Sequence, residues 1–79
     1  MVTRNWNPDM QRRLLRKLLL IHSAEDINDL RTPPGNELQK VNSNLIEYWT
    51  ININDQWQVL FRWIDNHAHD VGIIGYHQK

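Results

Sequence analysis

Residues 54–63 read NDQWQVLFRW, and the reading of this stretch decides the fold. In an extended strand successive side chains point to opposite faces, so Trp57, Val59, Phe61 and Trp63 share one face while Gln58, Leu60 and Arg62 share the other. The same period of two precedes it, where Trp49, Ile51 and Ile53 alternate with Tyr48, Thr50 and Asn52. Asn54–Asp55 suits a tight hairpin turn between the two runs. Asp65–Asn66–His67 suits a second turn, before a strand that ends at Gly75–Tyr76–His77. The expectation is a three-stranded antiparallel meander.

Upstream the period becomes helical. Asn7 is a suitable N-cap, Pro8 fits a first helical position where no N–H is needed, and Asp9 favours the positive end of the helix dipole. At about 100° per residue, Met10, Leu14, Leu15, Leu18, Leu19 and Ile21 fall on one half of the helix and Arg12, Arg13, Arg16 and Lys17 on the other. Leu20 falls among the basic residues. Ser23 with Asp26 three residues later has the form of a helix cap and predicts a short second helix to about Leu30. Pro34–Gly35 then suits the centre of a type II turn. The fold class is α+β: two N-terminal helices on one face of the sheet, with Gln58 and Arg62 directed away from the core on the open face.

Seventy-nine residues make a single domain, 1–79, near the lower limit at which one core outweighs the lost chain entropy. Cysteine is absent, which removes disulfides and thiolate metal sites and suits a reducing cytosol. The apolar run Leu18–Ile21 is far too short to span a bilayer, and no secretory signal pattern opens the chain. The expectation is a cytoplasmic protein without a membrane partner. Lys plus Arg and Asp plus Glu balance at nine each, but not evenly along the chain. Residues 1–22 carry five basic side chains against one acidic, and residues 23–79 carry four against eight. A basic helix on an acidic remainder is either a docking surface or a solvated face.

His67, His69 and His77 raise a metal site, but position 77 is ~26 Å beyond 69 along an extended strand, so a metal is not expected. Tyr76–His77 follows directly on Ile73–Ile74–Gly75, and a histidine beside a tyrosine suits acid–base chemistry. The competing reading is a solvated strand end. There is no nucleophile elbow, phosphate loop or paired-carboxylate motif.

RTPPGN at 31–36, Leu38, INDQW at 53–57, Phe61, Trp63 and D-V-x-I-x-x-Y-H at 70–77 together resemble the HigB branch of the RelE/ParE-like toxins, the plasmid maintenance system killer proteins. The resemblance implies a compact toxin that cuts messenger RNA on the translating bacterial ribosome without a metal or other cofactor. It also implies a helix-turn-helix, HigA-like antitoxin as partner. In the family a lysine, an arginine directly after the INDQW tryptophan, and the terminal Tyr-His carry the chemistry.

Tyr76 and His77 match that pattern. Gln58 stands where the arginine is expected, Asn42 at the lysine position, Ser43 at the following glycine and Leu45 at a further arginine. Lys40 and Arg62 are the replacement cations, for catalysis and for RNA binding with Asn42. Tyr76, His77, Asn42 and Gln58 are expected to form one shallow bowl for an RNA phosphate. Arg12, Arg13, Arg16 and Lys17 are the residues assigned to the antitoxin. The resemblance further implies an additional strand and short helix before the basic helix. Their absence would leave a sheet edge open and predicts self-association or obligatory antitoxin binding. A non-catalytic antitoxin-binding role in autoregulation and a ParE-like action on gyrase remain as alternatives.

Overall fold

A computed structural model describes residues 7–43 and 46–75, with the backbone alone at 42, 43 and 46. Helix α1 spans Pro8–Ser23. Asn7 caps it as its sequence suggests, the side-chain oxygen accepting from the Met10 N–H at 2.8 Å, with Pro8 and Asp9 in the first turn. Its buried stripe is Met10, Leu14 and Ile21. Leu15 and Leu19 were expected on that stripe, yet each is 57% exposed. They lie about 120–160° around the helix from its centre, too far to reach the sheet. Leu20 is correspondingly half-buried against the core.

The second helix is shorter and starts later than expected. Helix α1 runs through Ser23 and ends at an extended Ala24. The cap that follows belongs to Asp26, and it opens a single 3-10 segment, Ile27–Arg31. Asp26 accepts from the Asn28 N–H at 2.8 Å, and Asp29 reaches back to the N–H groups of Glu25 and Asp26 at 3.0 and 3.2 Å. A second 3-10 turn, Pro34–Asn36, replaces the expected type II turn. The left-handed backbone falls on Glu37 (φ 47°), not on Gly35. Asn36 decides this geometry. Fully buried, it donates its amide to the carbonyls of Leu30 and Thr32 at 3.0 and 3.3 Å, satisfying a loop that would otherwise bury unpaired oxygens.

Among the described residues the sheet has four strands, not three, in the order β1-β2-β3-β4, all antiparallel. They are β1 (Gln39–Ser43), β2 (Ile46–Asn52), β3 (Trp57–Ile64) and β4 (His67–Gly75). The unexpected strand, QKVNS, contains one apolar residue and pairs at an edge, so it carries no alternation to read. Asp65 and Asn66, both at positive φ, form the two-residue turn between β3 and β4. The β2–β3 connection is wider than a two-residue turn. The Asn54 side chain organises it, accepting from the N–H groups of Gln56 and Trp57 at 2.8 and 3.0 Å.

Ile51, Ile53, Val59 and Phe61 are buried on the helix-facing side with Met10, Leu14, Ile21 and Leu30. Trp49, Trp57 and Trp63 flank them, and Phe61 meets Trp63 edge to face at 6.2 Å. The alternation read from NDQWQVLFRW therefore has the correct phase.

Candidate functional site

Gln58 and Arg62 lie on the sheet face turned away from the helix, as their parity requires, but Gln58 is not open to solvent. Only 8% of it is exposed. It occupies a central strand, in register with Asn52 on one side and Ile74 on the other. Its amide nitrogen donates along the sheet to Thr50 Oγ1 at 3.4 Å and Asn52 Oδ1 at 3.2 Å. An amide nitrogen has two hydrogens, so both have partners within the fold. The expected exposed phosphate contact is instead part of a neutral polar row, Thr50–Gln58–Asn52.

Arg62 lies four residues further along β3, ~13 Å from Gln58. Its guanidinium meets Asp70 at 3.2 Å. A bulge makes that meeting: Leu60 pairs with Gly72 and Arg62 with His69, leaving Asp70 and Val71 opposite Phe61, with Asp70 at φ 52°. The pair is solvated, and exposed pairs of this kind hold by less than about 1 kcal/mol, so an anion can compete for Arg62.

Lys40 does not join Arg62. It is in register with Trp49, which is in register with Phe61, so it falls on the helix-facing side of the sheet. There its ammonium sits 5.6 Å from the Trp49 ring centroid and 3.3 Å from Glu47. Position 42, opposite Glu47, is in phase with Lys40 along the strand and out of phase with the face of Gln58. Strand register therefore separates positions 40 and 42 from 58 and 62, against the expectation that Asn42 and Gln58 share one bowl with Tyr76 and His77. Tyr76 and His77 lie outside the described residues, as does Leu45.

The basic side of α1 forms one wall of an open groove of about 590 Å³. Arg12, Arg13, Arg16 and Lys17 all line it, facing the Pro33–Glu37 and Asn52–Asp55 segments. Asp9 pairs with Arg13 at 3.0 Å and with Arg12 at 3.9 Å. Lys17 is half-buried at the base and hydrogen-bonds Asn36 Oδ1. Its pKa is pushed below the ordinary lysine value by burial first, and then by the neighbouring Arg16 and Arg13.

A family model for the RelE-like toxin of the type II toxin–antitoxin system HigB matches residues 2–77. The chain belongs to this HigB-like toxin family. It is 38% identical over 55 residues to toxin HigB-1 of Vibrio cholerae, a match covering 70% of this chain and 58% of that protein. It is also 34% identical over 58 residues to an uncharacterised protein of Haemophilus influenzae, covering 73% and 57%. The matched stretch is thus under two thirds of the length of either relative.

The HigB-like INDQW segment has a local structural reason. Ile53 and Asn54 both donate backbone N–H groups to the Trp57 carbonyl at 2.9 and 3.3 Å, while the Asn54 carboxamide closes the loop from inside. The Asn54 amide also approaches Met10 Sδ at 3.2 Å, tying the loop to the first turn of α1. Trp57 packs so closely on Gly75 that a Cβ there would lie 3.1 Å from its ring. The sequence did not signal the partners that neutralise or fix the candidate residues. Thr50 and Asn52 are ordinary strand positions, Asp70 depends on the bulge, and Asn36 lies in a turn remote from Lys17.

Proposed function

We propose that this HigB-like chain is a toxin that cuts messenger RNA on the translating ribosome, with weakened catalysis, and that a helix-turn-helix antitoxin neutralises it. One observation carries the reading: Trp57 and Gly75 are direct partners in the β3–β4 ladder. Gln58 follows Trp57 in the chain and Tyr76–His77 follows Gly75. Gln58 and the last described residue before Tyr76–His77 thus lie one register step apart on neighbouring strands, which supports a shared site.

RNA supplies its own nucleophile. The 2′-oxygen attacks the adjacent phosphorus, the bond to the 5′-oxygen breaks, and a 2′,3′-cyclic phosphate and a 5′-hydroxyl result. A base must take the 2′-hydroxyl proton and an acid must give one to the departing 5′-oxygen, duties assigned here to His77 and Tyr76. Charge building on the phosphate needs donors already in place, and losing one typically costs a hundred- to thousandfold in rate. With glutamine at 58, Arg62 is the cation on that sheet face within reach of a displaced substrate.

The internal bonds of Gln58 and the Arg62–Asp70 pair favour a second reading, a non-catalytic homologue that holds an antitoxin and tunes its repressor function. Expression of the chain alone in bacteria separates the two. Growth arrest with cleaved messenger RNA is the expected result. No arrest supports the binding homologue, and arrest with DNA damage points to a gyrase target.

A further inference from the structure

The groove beside α1 holds an incompletely neutralised positive cluster. Asp9 is engaged by Arg12 and Arg13. Among the described residues Arg16 has no ion-pair partner. An ammonium has three hydrogens, and one on Lys17 is directed to Asn36 Oδ1. That oxygen is rigidly aimed, because the other end of the Asn36 amide is fixed to two loop carbonyls. Burial and two arginines disfavour the Lys17 charge, so a carboxylate arriving beside it would relieve a repulsion already present.

The opposite wall states what kind of anion fits. Glu37 and Asp55 line it with Pro33, and Leu20 adds apolar surface from the helix side. A nucleic-acid backbone, with a charge at every nucleotide, would run against those carboxylates. A peptide can place one carboxylate on the helix side and an uncharged aliphatic residue across the groove.

We propose that this groove binds an extended peptide segment of a protein partner, with a glutamate or aspartate received by Arg16 and Lys17 and a neighbouring aliphatic side chain laid against Leu20 and Pro33. Naming the antitoxin as the source of that segment rests on the toxin reading above; the groove's chemistry does not.

Titration of the isotopically labelled chain with three probes, followed by NMR, tests this. The probes are a terminally blocked octapeptide of leucine and glutamate, its leucine–glutamine counterpart, and octauridine. The glutamate peptide should shift amides at 16–20 and 35–37 and bind at least about tenfold more tightly than the glutamine peptide. Arg16→Glu, at an exposed position that leaves the remaining spectrum in place, should remove that preference. Equal binding of the two peptides, no shifts with the glutamate peptide, or stronger binding of octauridine at the same amides would overturn the proposal. Growth arrest is not read in this experiment, so failure of the groove leaves the toxin reading standing, and loss of toxicity leaves the groove standing.

Discussion

Gln58 lies directly opposite Asn52 in the sheet and gives its side-chain amide to that neighbour and to Thr50, not to solvent. The position expected to contact an RNA phosphate is thus occupied by a residue satisfied within the fold. A phosphate approaching this face would meet a closed row of neutral polar groups.

Thr50→Val tests that row. The substitution keeps the shape but removes the acceptor, leaving an amide hydrogen without a partner at a site where Thr50 is only 1% exposed. A loss of about 1–3 kcal/mol is expected in urea unfolding, with Thr50→Ser losing much less. Equal stability of the valine variant and the natural chain would show that the Thr50–Gln58 bond contributes nothing.

Leu14 and Leu15 are sequence neighbours with opposite environments, 4% and 57% exposed. Leu14→Ala should cost about 2–5 kcal/mol through the cavity it leaves. Leu15→Ala should change stability by under about 0.5 kcal/mol, as exposed substitutions do. Similar costs for the two would return Leu15 to the core side of the helix.

Asn54→Ala removes the acceptor that closes the β2–β3 loop on two backbone N–H groups. A destabilisation of about 1–2 kcal/mol is expected. Asn54→Asp retains the acceptor and should recover most of it. If both variants fall equally, the contact with Met10 is what matters at this position.

These outcomes also separate what the sequence discloses from what it hides. The period of two in residues 49–63 places the core face correctly, because the large apolar side chains of each strand there keep to one face and the pattern repeats over several residues. Parity alone also puts Gln58 and Arg62 on the far side. Parity says nothing about how close the next strand's side chains stand, so the burial of Gln58 was not legible. The edge strand Gln39–Ser43 has too little apolar content to announce itself, and without its register Lys40 could not be assigned to the helix side. On α1 the error is angular: six apolar residues spread over half a turn leave the stripe's centre undetermined until packing selects Met10, Leu14 and Ile21.

Lys17 makes stability pH-dependent in a definite direction. Its folded pKa lies below the unfolded value, near the ordinary 10.5. Between the two values the unfolded chain binds the additional proton, so this residue's contribution to stability rises with pH across that interval. Below the folded pKa the penalty for holding a charged Lys17 is fully present. Urea midpoints of the natural chain and Lys17→Met, taken from neutrality to alkaline pH, should therefore converge or cross in the natural chain's favour as pH rises. Parallel curves would contradict the assignment.

Among the described residues, Arg62 is the cation on the sheet face of Gln58. Arg62→Ala should reduce growth arrest, and Asp70→Asn, which frees the guanidinium from its counter-charge, should increase it. An Arg62→Ala chain that stays fully toxic would reject Arg62 as a replacement for the missing family arginine.

The most direct test of the weakened-nuclease account is the rate of messenger cleavage in a purified translation reaction, compared between the natural chain and Gln58→Arg. With thermal unfolding confirming that both are folded, the arginine variant should cleave about a hundredfold faster or more, since one charged contact in the transition state is worth that much. Equal rates in two folded proteins, whether both fast or both absent, would contradict it.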